Sequence, residues 1–199
     1  MKEKKEYSAG EMKPEQDLVI AGYLGLSGTR AIAAEGESEL QKRFSPRFVR
    51  DCKRLSEQSG CSETEKELLA ELIRCGAVKS WYEAGEGGIM TALWNYFNEF
   101  GLGFELELRK LPIRQETVEV CEVFDVNPYR LESEGCVLLT AENGGVLAEA
   151  LEQKGIHAVV VGRTRQSVGR QIHNGEIHSF LDRPRPDELE RFRLTGGKR

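Results

Sequence analysis

Three short runs constrain the fold of this chain most: Asp17-Leu-Val-Ile-Ala21, Gly135-Cys-Val-Leu-Leu-Thr-Ala141 and Ile156-His-Ala-Val-Val-Val161. Each is nearly continuous in apolar or small residues and reads as a buried strand. Segments with apolar residues three and four apart lie between them and read as helices. Buried strands separated by helices imply an α/β fold, a layered sheet with helices packed on it. A further strand, Gly103 to Arg109, alternates Phe104, Leu106 and Leu108 with Glu105, Glu107 and Arg109, so one of its faces is wet.

Helix boundaries are marked by local chemistry. Ser45-Pro46 supplies an N-cap followed by proline at the first helical position, ahead of Phe48, Val49, Cys52 and Leu55. Ser62 and Glu65 form a capping box for a helix on Leu68, Leu69, Leu72 and Ile73, with Gly76 just past its end. A short extended stretch, Ala77 to Tyr82, precedes the loop Glu83-Ala-Gly-Glu-Gly-Gly88 and a helix on Ile89, Leu93, Tyr96, Phe97 and Phe100. Helices follow over Gln115–Phe124 and Gly144–Lys154. Asn174-Gly175 predicts a tight hairpin between Arg170–His173 and Glu176–Phe180, and a last helix is expected after Pro186. The chain is expected to hold a flexible leader over 1–15, one domain over 16–182 and a basic tail over 183–199.

Composition narrows the function classes. The chain has 28 basic and 33 acidic side chains and a net charge of −5. Residues 1–162 carry −9 and residues 163–199 carry +4, the pattern of an acidic body with a solvated basic end. Arg163, Arg165 and Arg170 lack interleaved aromatics and the body repels phosphate backbones, so no nucleic-acid partner is expected. No apolar run approaches the ~20 residues that span a bilayer, so the expectation is a cytoplasmic protein without a membrane partner. Five cysteines (Cys52, Cys61, Cys75, Cys121 and Cys136) and three histidines (His157, His173 and His178) show neither a disulfide framework nor metal-ligand spacing. Cys121 and Cys136 sit among valines and leucines and read as small core residues.

Chemistry concentrates in Glu83-Ala-Gly85-Glu86-Gly87-Gly88. Glycines let a backbone approach an anion closely, and the first turn of the following helix aims N–H groups and partial positive charge at it. Glu83 and Glu86 would then hold Mg²⁺ against phosphate, or move a proton. The plainer reading is a glycine turn whose glutamates favour a helix N-terminus. Asn143-Gly144-Gly145 also joins a buried strand to a helix and is either a second anion cradle or an N-cap with a tight turn. Gly22, Gly25 and Gly28 follow a strand without forming a dinucleotide fingerprint. His157 reads as a hydrogen-bonded, partly buried residue. Trp81, Tyr82 and Trp94 read as core, with a ligand wall as the alternative.

Several of these segments carry a resemblance. Leu18–Thr29, Glu83–Trp94, Leu111–Val118, Asn127-Pro128, Ser133–Leu139 and Gly155–Gly162 resemble, in collinear order, the C-terminal domain of the AIR synthase superfamily. The nearest branch is the AIR-synthase-related proteins akin to the hydrogenase maturation carbamoyl dehydratase. The resemblance implies a three-layer α/β/α domain with a mixed sheet. It also implies an N-terminal domain that dimerises and binds ATP with Mg²⁺, and chemistry in which ATP activates an amide-type oxygen. Three departures stand out. About 15 residues precede the domain, fewer than the ~50 of a separate folded unit, so the ATP-binding half is expected to be missing from this chain. The family loop His-Asp-x-Thr-x-Gly-Gly is matched by Tyr82, Glu83, Ala84, Gly85, Glu86, Gly87 and Gly88, which keeps the glycines, lengthens the acid and lacks the hydroxyl. The chain ends Gly196-Gly-Lys-Arg199 without a terminal cysteine.

The expectation is a C-terminal domain of this type without its own cofactor. Glu83 and Glu86 are its candidate catalytic residues, and Gly85, Gly87, Gly88, Asn143 and Gly144 would bind phosphate or substrate. Mg²⁺ and ATP would come through an ATP-binding domain on another polypeptide, and a homodimer is expected. Autonomous activity is not. The alternatives are a non-catalytic dimerising or regulatory module that kept the fold, and a fragment of an intact ATP-dependent maturation enzyme.

Overall fold

The computed structural model describes residues 11–55 and 63–196, apart from the side chains of residues 63–66 and 69. The capping box of Ser62 and Glu65, the packing of Leu69, Cys61 and the final three residues lie outside the described residues.

The chain starts with strand β1 (Asp17–Ala21) and helices α1 (Leu26–Glu35), α2 (Glu37–Leu40), α3 (Pro46–Cys52) and α4 (Glu63–Arg74). Strand β2 (Ser80–Glu83), helix α5 (Gly88–Phe100), strand β3 (Gly103–Glu107) and helix α6 (Gln115–Phe124) follow. Then come β4 (Val137–Ala141), α7 (Gly144–Glu152), β5 (Ala158–Arg165), the hairpin β6 (Arg170–Asn174) and β7 (Ile177–Phe180), and α8 (Glu188–Thr195). The strands form one sheet in the order β2-β4-β1-β5-β3-β6-β7. Its neighbours run antiparallel except β3 and β6, which are parallel. The sheet is mixed, as expected.

Side-chain alternation divides the core. Leu18, Ile20, Leu138, Phe104 and Leu106 face α5, where Ile89, Leu93, Tyr96 and Phe97 cover them. Val19, Ala21, Val137, Leu139 and Ala158 face the other way, against Leu147 and Leu151 of α7 and Leu68, Leu72 and Ile73 of α4. Helices on both faces give the α/β/α layering. A third cluster joins α1, α2, α3, α6 and α8 through Ile32, Leu40, Val49, Val120, Phe124, Leu189 and Phe192. The two cysteines read as core are buried, and burial pushes the thiols of Cys121 and Cys136 up to about 12.

Helix α1 takes in Gly28, whose missing Cβ leaves room for Leu131, 2.4 Å from where that atom would lie. The structure corrects four expectations. Strand β3 stops at Glu107, and Leu108–Lys110 turn as a 3₁₀ helix. Strand β5 runs four residues past Val161, since Gly162 lets it press against the Glu105 backbone of β3. The described part of the leader is tied down: Met12 is buried, the Thr164 hydroxyl donates to Lys13 O at 2.6 Å, and Glu15 N–H donates to Thr164 O at 3.0 Å. The segment read as a solvated basic tail differs too. Its helix α8 buries Leu189 and Phe192, and Phe192 packs edge-to-face on Phe124 at 5.1 Å.

Candidate functional site

Because β1 and β2 both run antiparallel to the intervening β4, they end at the same edge of the sheet. Glu83, Val137, Ala21 and Ala158 form one row across four adjacent strands at that edge. The turns opening α1 and α5 both leave from it. Loop 131–136 stitches them together: Ser133 N–H donates to Gly85 O (3.1 Å), Gly25 N–H donates to Ser133 Oγ (2.9 Å), and Ala84 N–H donates to Cys136 O (2.8 Å). Gly28 N–H donates to Glu132 O and Leu24 N–H to Pro112 O, so Leu111–Arg114 reaches the same place.

Within the loop, Glu83 is half-buried at the end of β2, Gly85 is half-buried, Glu86 is exposed, and Gly87 and Gly88 are buried. Gly87 caps α5 with φ 79° and Gly88 follows with φ 63°, both in the left-handed region that favours glycine. Two backbone donors of this turn are in use. Gly88 N–H donates to Gly85 O at 3.0 Å, and Gly87 N–H donates to Asp187 Oδ2 at 2.5 Å. The other oxygen of Asp187 accepts from Leu189 N–H at 2.7 Å, so one buried carboxylate joins the starts of α5 and α8. Burial, aided by nearby Glu86, raises the Asp187 pKa above the ordinary value in spite of these donors. The turn therefore holds a carboxyl group that the chain itself supplies.

Asn143 and Gly144 do not join this site. They follow the far end of β4, beside Asp17, a strand length of roughly 13 Å away. Asn143 Oδ1 caps Val146 N–H at 3.1 Å, and Gly144 N–H donates to Asp17 Oδ2 at 2.8 Å. Helices α5 and α7 thus each carry an internal carboxylate at their glycine-containing starts. Trp81 and Tyr82 point to opposite faces of the sheet, and Trp94 lies under the Arg170 guanidinium at 4.1 Å, so core packing accounts for the three aromatics.

Sequence reasoning missed Asp187, Tyr23 and Arg114. The signal for Asp187 was a helix cap after Pro186, masked by the charges around it. Tyr23 stacks on His157 at 4.5 Å with an 11° interplanar angle, and the Arg114 guanidinium lies 5.7 Å from the Tyr23 ring centroid. His157 is hydrogen-bonded and half-exposed, as read: its Nδ1 is 2.7 Å from Glu152 Oε1. The Glu152 carboxylate also accepts from Ala158 N–H, and this bond, then His157, holds its pKa below the ordinary value of 4.5. A group held low in the folded state stabilises above its unfolded pKa and loses that contribution as pH falls through the folded one. Glu152→Gln is therefore expected to lower the urea midpoint at neutral pH, with the deficit closing as pH drops below 4.5. Parallel midpoints down to strongly acid pH would refute it.

Among the described residues no three His, Cys, Asp or Glu side chains gather where one ion could take them. No helix among the described residues is long and apolar enough to cross a membrane.

Comparison with known proteins follows the same segments. The family model for AIR synthase related protein, C-terminal domain, matches residues 13–173. Carbamoyl dehydratase HypE of Rhodobacter capsulatus is 28% identical over 164 residues, covering 80% of this chain and 44% of that protein. Phosphoribosylformylglycinamidine synthase subunit PurL of Gloeobacter violaceus is 34% identical over 133 residues, 62% of this chain and 16% of that protein. The crystal structure of E. coli HypE, a hydrogenase maturation protein, superposes with a TM-score of 0.73 at 20% identity, covering 93% of this chain and 55% of that one. The chain thus spans about half or less of the proteins it matches. It belongs to the AIR synthase related family as a C-terminal domain of that type.

Proposed function

We propose that this chain is the substrate-handling half of an ATP-dependent dehydratase- or ligase-type enzyme in the cytoplasm. Its loop Glu83–Gly88 offers the binding surface for substrate or phosphate, and an ATP-binding domain on another polypeptide supplies the nucleotide and Mg²⁺. The observation that carries this reading is the convergence of Leu18–Thr29, Glu83–Trp94 and Ser133–Leu139 at one sheet edge, with two glycine-opened helices starting there. In this reading Glu83 and Glu86 move a proton or complete a metal site together with the partner domain. Homodimerisation belongs to the same reading.

A second reading has its own observation. Asp187 already sits on Gly87 N–H, which suits a regulatory module that kept the fold and closed the site. One experiment separates the two. The purified chain alone is expected to show no thermal shift with millimolar Mg²⁺–ATP, where a ligand at 100 times its dissociation constant would stabilise by about 2.7 kcal/mol. Adding the ATP-binding half of a HypE-type relative is expected to give ATP hydrolysis that Glu83→Gln and Glu86→Gln lower by about a hundredfold. Hydrolysis indifferent to both substitutions favours the closed module.

A further inference from the structure

Residues 42–54 carry six basic side chains against the single acid Asp51, a local +5 that leaves −10 on the rest of the chain. The structure sorts these charges by type. Lys42 is 2.5 Å from Glu39 and Lys53 is 2.5 Å from Glu37, so both lysines are neutralised within the chain. Arg47 lies 3.9 Å from Asp51 with its side chain 85% exposed. Arg43, Arg50 and Arg54 are exposed and make no ion pair among the described residues. Arg47 and Arg50 share one face of α3, about 4.5 Å apart along its axis. Arg43 stands just before the Ser45 cap, and Arg54 on the turn after the helix.

At the Arg43 end this stripe runs into a groove of about 690 Å³ between α1, α2, α6 and α8. That is ample for a large side chain. Val123 and the exposed edges of Phe124 and Phe192 give it an apolar patch, among Ser38, the Lys42-paired Glu39 and the Arg193–Glu35 ion pair at 2.7 Å. Guanidinium forks match carboxylates in a bidentate manner and are weakly hydrated, so exposed arginines beside a groove with an apolar patch suit an acidic partner with a hydrophobic anchor.

We propose that this face docks an acidic segment of a protein partner, which seats one apolar side chain in the groove and lays its carboxylates along Arg43, Arg47, Arg50 and Arg54. A protein segment fits better than a nucleic acid, because a long polyanion would overrun the stripe and meet the surrounding −10.

Fluorescence anisotropy with a labelled synthetic peptide, a Leu-Phe pair flanked by glutamates on both sides, tests this. Binding is expected at low salt and should weaken as salt is raised. The double substitution Arg43→Glu/Arg50→Glu should lower affinity at least about tenfold, as should Val123→Asp in the groove. Lys154→Glu/Arg183→Glu, on exposed cations elsewhere, should change nothing. Both arginine positions are exposed, so circular dichroism should show the fold intact. The proposal fails if millimolar peptide does not bind, if the arginine reversal leaves affinity unchanged, or if oligothymidylate binds more tightly than the peptide.

Discussion

Gly88→Ala is expected to destabilise the protein by at least about 3 kcal/mol. A Cβ at Gly88 would lie 2.6 Å from the Leu131 carbonyl oxygen and 2.7 Å from that of Tyr129, both backbone atoms that no rotamer change can move. The residue also holds φ 63°, a left-handed conformation that costs a non-glycine residue about 1–2 kcal/mol before any clash. Relief would require loop 129–131 to back away, and Leu131 is fully buried against α1. Gly85→Ala, three residues earlier, is the control: nothing lies within 4 Å of its Cβ position. Its effect should stay within about 0.5 kcal/mol. Urea denaturation of the two variants side by side checks this, and equal midpoints would overturn the account of the loop.

The contrast shows what the sequence could and could not convey about this site. Glycines after a strand and before a helix are readable as a turn, and so the loop Glu83–Gly88, strand β1 and the Asn174-Gly175 hairpin all lie where pattern placed them. Which glycine is there for its φ, and which for contact with a distant carbonyl, depends on loop 129–131 and is invisible locally. The same holds for Gly28 in α1, whose lack of a side chain makes room for Leu131, far along the chain. The polar half of β5 escaped notice because Arg163, Thr164 and Arg165 are held by partners far along the chain: Asp17, Gln16, Glu15 and Glu105. Grouping Asn143 and Gly144 with the loop failed for a topological reason. Two identical strand–glycine–helix signatures sit at opposite edges when their strands run antiparallel, and strand direction is set by the sheet order rather than by either segment.

Asp187→Ala is expected to cost about 3 kcal/mol, comparable to Gly88→Ala although it removes only a carboxylate. The buried N–H groups of Gly87 and Leu189 would both lose their acceptor, at about 1–3 kcal/mol for each unpaired group. Asp187→Asn should cost less, because its amide oxygen can still cap Leu189 while its NH₂ faces Gly87. The pH dependence has a definite sign. Burial raises the folded pKa of Asp187 above the ordinary 3.8, so the folded state holds this proton more tightly than the unfolded chain does. The stabilisation linked to that proton is fully present below 3.8 and is lost as pH rises through the folded pKa. The stability gap between the native protein and Asp187→Asn should therefore narrow from acid pH towards neutrality, measured by urea midpoints at fixed salt. A gap that widens instead would mean the carboxylate is favoured as an anion. The alanine variant also bears on function: with Asp187 gone, Gly87 N–H is open to an outside oxyanion. Inorganic phosphate should then raise the melting temperature of Asp187→Ala more than that of the native protein if the chain's own carboxylate stands where a ligand would bind. An equal response in both proteins would make Asp187 a cap that joins α5 to α8 and nothing more.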